Sequence, residues 1–173
     1  MCNSRRVACS VLALALLLGA AAVGAQTLAV GSRIEGFSLR DQHGQAHEVR
    51  ADTRAILFIR GMKAGGVGKA ALEDSQGGLL AQAGAVYIAD VSPMPALIRR
   101  VIAIPRMRRR GYPILLDRDG SQTASFPSVE DSATLLVLDR LRIQQVLHLD
   151  SPAEIKAALE NAASAEEPGE ITD

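Results

Sequence analysis

The sequence predicts an α/β sandwich in which helices flank a mixed central sheet, and three observations support this class. Near-continuous apolar runs alternate with segments of helical spacing, which is typical of parallel strands joined by helices. An alternating segment folded around a turn indicates a β-hairpin before them. Two further apolar runs and a capped helix follow, which adds antiparallel strands to the sheet.

The first predicted element is an N-terminal β-hairpin in the sequence FSLRDQHGQAHEV. Phe37 and Leu39 point to one face, Asp41 to Gly44 form the turn, and Ala46 to Val49 return. The apolar run from Arg54 to Arg60 then predicts a buried central strand.

The middle of the chain predicts helix, strand and helix. Lys63 to Ala83 is rich in Ala and Leu, although each of its glycines costs about 1 kcal/mol in a helix interior. Ala85 to Ser92 predicts a second buried strand. Met94 to Ile104 predicts a helix, which we expect Pro105 to end or kink. The apolar residues with helical spacing in this segment are Leu97, Ile98, Val101 and Ile102.

The last third predicts strands, a closing helix and a tail. YPILLDRDG indicates a strand and a turn, and Ala133 to Leu149 indicates two strands around Asp139 to Arg142. Ser151 caps a final helix that has Pro152 at its first position. We divide the chain into a signal peptide (1–25), one domain (26–163) and an acidic flexible tail (164–173).

Residues 1–25 have the layout of a secretory signal peptide. Arg5 and Arg6 precede an uncharged run, and small residues lead to cleavage after Ala25. A retained membrane anchor is the alternative, but the run is short for a span and its small-residue exit favours cleavage. We therefore expect a periplasmic or secreted protein.

Cleavage would remove both cysteines, Cys2 and Cys9. A chain that starts at Gln26 then has no disulfide, thiolate nucleophile or thiolate metal ligand. The loss of Arg5 and Arg6 from 19 basic residues leaves 17 against 19 acidic residues, a net charge of −2. This balance predicts neither nucleic acid nor a membrane as the partner.

The order of the elements resembles the thioredoxin-like superfamily, in particular its peroxiredoxin and exported thiol-reductase branches. The matching segments are FSLRDQHG (37–44), AILFI (55–59), ADVS (89–92), YPILLDRDG (112–120) and ATLLVLD (133–139). The resemblance implies a thioredoxin-like sandwich. It also implies that a redox cysteine belongs at the helix start after the central strand, where this chain has Arg60 to Lys69 without a cysteine. Ser132 and Ala133 stand where the superfamily often has a cis-proline. The chain is similar to exported members that lack redox cysteines, so we expect no thiol–disulfide exchange or cysteine peroxidase activity.

The glycine-rich stretch RGMKAGGVGK raises the alternative of a phosphate-binding loop. A Walker A loop is excluded, because Lys63 occupies its first glycine position and Ala70 its hydroxyl position. Gly66 to Gly68 match part of a dinucleotide fingerprint, with Asp90 near the spacing of the ribose-binding acid. We expect instead a glycine-rich loop at a helix start, where the amides, Lys63 and Lys69 attract an anion, and no bound cofactor.

Six arginines lie between Arg99 and Arg110. On a continuous helix Arg99, Arg106 and Arg110 share a face, which would suit an anionic protein, a lipid head group or a phosphorylated ligand. The near-neutral total charge favours a solvated face and argues against membrane-surface contact. The whole chain has five aromatic residues and none within this cluster, so nucleic-acid binding is not expected.

The other candidate residues indicate structure. His43 and His47 lack a third ligand nearby, so no metal site is predicted. Asp117 to Gly120 predicts a turn, since it is too short for a calcium loop. Met62, Met94 and Met107 are interpreted as core residues and not as copper ligands.

Our first hypothesis is a noncatalytic, exported thioredoxin-like domain that serves as a binding or accessory module for a periplasmic protein or a small anionic ligand. It would use the edge formed by Arg60 to Lys69 and Ser132 to Thr134, or the arginine cluster. The candidate binding residues are Arg60, Lys63, Lys69, Arg99, Arg106 and Arg110. The second hypothesis is a redox-related enzyme that uses a bound cofactor in place of cysteine.

Overall fold

A computed structural model describes residues 26–165. The predicted signal peptide and residues 166–173 of the predicted tail lie outside this range. Within it, a seven-stranded mixed sheet has the order β2-β1-β5-β4-β3-β6-β7. The strands are β1 (Phe37–Asp41), β2 (Ala46–Val49), β3 (Ala55–Arg60), β4 (Ala85–Asp90), β5 (Leu115–Asp117), β6 (Ala133–Asp139) and β7 (Arg142–Leu149). The predicted hairpin is confirmed as β1 and β2, and the predicted α/β class is confirmed by the mixed sheet.

Helices surround this sheet. They are α1 (Met62–Leu72), α2 (Gly78–Gln82), α3 (Ala96–Ile98), α4 (Ile104–Met107) and α5 (Pro152–Ser164). A π-helical turn, Arg99–Ala103, joins α3 to α4. We call the continuous segment 96–107 the arginine-rich helix. Because β3, β4 and β5 are adjacent and parallel, right-handed connections place α1, α2 and the arginine-rich helix on the same face.

Each face of the sheet has its own apolar core. On the helical face, alternate strand residues such as Leu57 and Ile59 pack with residues of α1, α2 and α5. On the opposite face, Ile56 and Phe58 pack with the segment that precedes β1 and with Phe126. Strand β3 is buried on both faces, which explains why its sequence is an uninterrupted apolar run.

The region predicted as one helical stretch, Lys63 to Ala83, forms two helices. A turn, residues 73–77, separates them, and its last residue is Gly77, whose φ of 87° is left-handed. A Cβ atom at this position would lie 2.4 Å from the Cβ of Tyr112, so a side chain would be excluded even if the backbone tolerated it. Gly77 therefore caps the start of α2 in a conformation that favours glycine, and it lets Tyr112 pack against the turn.

Pro105 was expected to end or kink the helix. It does not end the helix, which continues to Met107, but a π-helical turn interrupts the regular α-helix directly before α4. The amide of Ile104 bonds to the carbonyl of Arg99, five residues earlier, which is the π-helical pattern. A proline in a regular α-helix clashes with the carbonyl four residues before it, and the wider turn relieves this contact.

The closing helix begins as the sequence predicts. Ser151 Oγ accepts the amide of Glu154 at 3.3 Å, and Pro152 occupies the first turn. The helix extends to Ser164, one residue into the predicted tail.

Candidate functional site

The first candidate site lies at the carboxyl ends of β3 and β4. These strands are parallel, and their last residues, Arg60 and Asp90, are neighbours in the register. Helix α1 begins one residue after β3 ends, and the loop 123–132 leads into β6. In open α/β sheets, ligands bind outside the carboxyl ends of the strands. We call this surface, residues 60–63, 90–92 and 123–132, the strand-end edge.

Arg60 joins three segments of the strand-end edge. Its Nε donates to Asp90 Oδ2 at 2.8 Å, Nη2 donates to the carbonyl of Thr123 at 2.9 Å, and Nη1 donates to Ser128 Oγ at 3.0 Å. Its guanidinium also lies 5.1 Å from the ring centroid of Phe58. Arg60 was predicted as a binding residue, but its side chain is used to fix the edge.

Asp90 is the buried partner in this arrangement, with a side chain that is 4% exposed. Its second oxygen, Oδ1, accepts the amide of Ser92 at 2.9 Å. A ribose-binding acid needs a carboxylate that is open to the sugar hydroxyls. Both oxygens of Asp90 are engaged within the chain, which argues against the dinucleotide interpretation.

The glycines of the stretch RGMKAGGVGK lie inside helix α1, so the expectation of a glycine-rich loop is wrong. The amide of Gly65 donates to the carbonyl of Gly61 at 3.2 Å. Gly68 packs so closely that a Cβ atom there would lie 3.1 Å from the hydroxyl of Tyr87. At Gly68 the missing side chain thus allows close helix–sheet packing, and no loop is present to surround a phosphate.

Lys63 and Lys69 both lie on exposed parts of α1. Lys63 Nζ is 3.0 Å from Asp131 Oδ2, in the loop before β6, and Lys69 Nζ is 4.0 Å from Glu73 Oε1. All four side chains are exposed, and such surface pairs contribute about 0–1 kcal/mol. An incoming anion can therefore compete for either lysine at little cost.

Two apolar side chains are exposed at the strand-end edge, and neither was predicted as a binding residue. Met62, predicted as a core residue, is 83% exposed at the first position of α1, and Val129 is 48% exposed. Arg60 bonds to Ser128, and Lys63 bonds to Asp131. Met62 lies between the first residues of these two pairs and Val129 between the second ones. The two contacts therefore hold the start of α1 against the loop 123–132. The sequence did contain a signal for the exposure of Met62. This methionine directly follows Gly61, the first residue after β3.

The second candidate site is the arginine-rich helix, whose apolar residues face solvent. Leu97 is 74% exposed, and the other members of the predicted spacing are exposed as well. We call the set the outward stripe, and it consists of Leu97, Ile98, Val101 and Ile102. Ile104 and Met107 contact the core instead. The predicted apolar spacing is therefore present, but it does not mark the buried side of the helix.

Two of the arginines attach this segment to the rest of the domain. Arg99 Nη1 donates to the carbonyl of Arg118 at 3.0 Å and to that of Val91 at 3.3 Å. Arg108 Nε donates to the carbonyl of Gln42 at 2.9 Å. Two of these bonds, to the carbonyls of Val91 and Gln42, are partly buried and the one to Arg118 is exposed, so Arg99 has a structural contact in addition to its predicted binding role.

The other arginines differ from these two. Within residues 26–165, no hydrogen-bond or ion-pair partner contacts the side chains of Arg100, Arg106 and Arg109, all of which are exposed. Arg110 lies beyond the end of α4. The predicted common face of Arg99, Arg106 and Arg110 required a continuous α-helix, and the π-helical turn and the end at Met107 remove that condition.

His47 belongs to the hairpin, where its Nε2 lies 3.0 Å from Asp41 Oδ2. Burial raises the pKa of Asp41, but hydrogen bonds from His47 and from the amides of Gln45 and His43 outweigh it and hold the pKa below its ordinary value. In the described part of the chain, no three His, Cys, Asp or Glu side chains are grouped as a metal site requires.

The predicted turn after β5 is confirmed. Asp117 Oδ1 accepts the amide of Gly120 at 2.9 Å, and its Oδ2 accepts both the amide and the hydroxyl of Thr123 at 2.8 Å. The buried carboxylate thus shapes the start of the loop that supplies Thr123 to Arg60.

No helix within residues 26–165 has the length and apolar character needed to cross a bilayer.

The sequence matches no protein-family model and no curated protein. Solved structures, in contrast, are similar over most of the chain. A peroxidoxin, BcpB, from Mycobacterium tuberculosis shares 20% identity, with 80% of this chain and 97% of that one covered at a TM-score of 0.54.

Two further structures agree with this. The thioredoxin domain of a thiol-disulfide oxidoreductase from Bacteroides vulgatus has 14% identity, covers 78% of this chain and 98% of its own, and gives a TM-score of 0.50. A peroxiredoxin-like protein from Aquifex aeolicus has 10% identity, with 79% and 88% covered and a TM-score of 0.50. These similarities and the strand order show that this chain has the thioredoxin-like fold.

Proposed function

We propose that this protein is an exported thioredoxin-like domain that binds a partner at the strand-end edge and performs no thiol chemistry. The observation that carries the proposal is the composition of that edge. In the superfamily that the sequence resembles, a redox cysteine occupies the helix start after the central strand. Here the same position holds Gly61, Met62 and Lys63, and the preceding Arg60 is engaged with Asp90.

Thiol–disulfide exchange and cysteine-based peroxide reduction both begin with attack by a thiolate. The two cysteines of the sequence, Cys2 and Cys9, belong to the predicted signal segment. A processed chain that starts at Gln26 would therefore have no nucleophile for either reaction. The proposed noncatalytic role therefore rests on removal of residues 1–25, which the first test below measures.

The exposed chemistry of the strand-end edge suits a short peptide or protein segment. Met62 and Val129 offer apolar contact, and Lys63 offers a charge whose present partner, Asp131, is exposed. Exposed pairs are weak, so a carboxylate of the ligand can replace Asp131 at little cost. The expected ligand is a segment with an apolar side chain next to an acidic one.

The first test concerns chemistry. Protein recovered from the cell envelope is analysed by intact mass, thiol titration under denaturing conditions, insulin reduction and peroxide consumption. We expect a mature N-terminus at Gln26, no thiol and no turnover. The matched variant Met62→Cys places a thiol at the exposed start of α1 and should titrate in the native protein as well, which would show that a reagent reaches this position.

Turnover by the parent protein, with contaminants excluded, would refute the noncatalytic role. A visible absorbance band from bound flavin or haem would favour the alternative, a redox-related enzyme with a cofactor. A retained Met1 with full membrane association would refute processing.

The second test concerns binding. A photocrosslinking residue is placed at Met62, at Val129 or, as a control, at Val30, which is equally apolar and exposed but lies outside the strand-end edge. We expect the same adduct from the first two positions in the cell envelope and none from Val30. Equal labelling from all three positions would contradict a site at this edge.

A further inference from the structure

The outward stripe is a second surface that the strand-end edge does not explain. Its four side chains follow the spacing i, i+1, i+4 and i+5, and all of them are exposed on one segment. Apolar residues at such spacing normally face the core. Here the core contact is made by Ile104 and Met107, which leaves a contiguous aliphatic surface without a partner among residues 26–165.

The segment that carries the outward stripe has charged residues of one sign only. No aspartate or glutamate occurs between Asp90 and Asp117, while six arginines fall in that interval. Three of them, Arg100, Arg106 and Arg109, are exposed and have no side-chain partner in the described part of the chain. The chain as a whole is close to charge balance, so the positive charge is concentrated in the segment that carries the outward stripe.

The exposed aliphatic side chains and the unpartnered arginines together limit the kinds of ligand that can bind this surface. A second copy of the same helix would bring unpaired arginines against arginines, which like-charge repulsion disfavours. Nucleic acid is disfavoured because the segment has no aromatic side chain for stacking. What fits is a surface that accepts aliphatic side chains and carries dense negative charge beside them.

We propose that the arginine-rich helix is a peripheral binding site for anionic lipid bilayers. A helix with aliphatic residues on its outer side and arginines next to them lies in the plane of the bilayer surface. Leu97 and Val101 would enter the boundary between head groups and acyl chains, while the long side chains of Arg100 and Arg106 reach the lipid phosphates. This proposal is independent of the binding role of the strand-end edge.

The test uses residues 26–173, which contain every strand, helix and core residue described above. Co-sedimentation is measured with vesicles of phosphatidylcholine alone and of phosphatidylcholine mixed with phosphatidylglycerol. We expect binding to the anionic vesicles that weakens as salt rises, and little binding to the neutral ones.

Two variants separate the apolar and the charged contributions. Leu97→Ser with Val101→Ser keeps every charge and should weaken binding by about tenfold or more, because two aliphatic side chains no longer enter the bilayer. Arg100→Glu with Arg106→Glu keeps the stripe and should weaken binding at least as much. The matched controls are Val30→Ser and Arg33→Glu, on the segment before β1, and they should bind as the parent does.

The outcomes are distinct. Normal unfolding midpoints with binding lost in both stripe and charge variants support the proposal. Absence of parent binding, equal binding to neutral vesicles, or equal losses in the controls would overturn it. Dimerisation that the Leu97→Ser and Val101→Ser changes abolish, without vesicle binding, would reassign the surface to contact between copies.

Discussion

The strand-end edge and the arginine-rich helix both present arginines near exposed apolar residues, yet the two regions differ in what those arginines do. At the edge, Arg60 meets the buried carboxylate of Asp90 and two further acceptors, so its charge is used to hold three segments together. On the helix, Arg100 and Arg106 have no acid nearby in the chain and no partner within residues 26–165. An arginine has a structural role when the fold places a buried carboxylate next to it. Without such a partner, its charge remains available for a ligand.

The largest expected loss of stability is at Ile104, which we compare with Ile102 of the same helix. The two side chains are 9% and 43% exposed. Ile104→Ala removes a side chain from the core and should destabilise the domain by about 2–3 kcal/mol. Ile102→Ala should stay within about 0.5 kcal/mol of the parent, as surface changes do. Urea unfolding of both variants measures the two losses of stability. Equal losses would show that the outward stripe is packed against another part of the protein and is not exposed.

The next effect concerns the clamp at the strand-end edge. Arg60→Ala leaves the carboxylate of Asp90 buried without its partner and should cost about 2 kcal/mol. The figure is below the loss for a fully buried pair because the Arg60 side chain is 31% exposed. Double variants that combine Arg60→Ala with Asp90→Asn should recover part of the loss, since the uncompensated charge is then removed. A loss within about 0.5 kcal/mol for Arg60→Ala would mean that the clamp does not stabilise the edge.

The smallest effect separates the attached arginines from the unpartnered ones. Arg99→Ala and Arg108→Ala each remove hydrogen bonds to carbonyls and should lower stability by about 1 kcal/mol. Arg106→Ala should change stability by less than about 0.5 kcal/mol. Thermal unfolding measured side by side resolves the difference, and a similar loss for all three would show that Arg106 also stabilises the domain through a contact.

Much of the fold was predictable because its signals are local. Turn residues and alternation located the hairpin β1–β2, and the apolar run of β3 reflects a strand buried on both faces. The cap at Ser151 followed from residue type and spacing. The turn that ends at Gly77 was harder to place, because Tyr112, which packs against that glycine, is distant in sequence.

The candidate sites were less predictable, because the type of a residue does not reveal which distant residues it contacts in the folded protein. The glycines of α1 suggested a loop, since the sequence does not show that Gly68 must lie against Tyr87. The spacing of Leu97 and Val101 correctly indicated a helix but gave no direction, because a periodic apolar stripe can face a core or solvent.

The sequence by itself determined the order of strands and helices, the position of the cysteines before residue 26, and the concentration of arginine between Asp90 and Asp117. Tertiary structure decided which charges are used within the domain and which apolar residues are left outside. The physical reason is that burial and ion pairing depend on contacts between distant segments. Asp90 reaches Arg60 across 30 residues of chain because parallel strands end at the same edge, whereas the outward stripe remains exposed because no described segment crosses it.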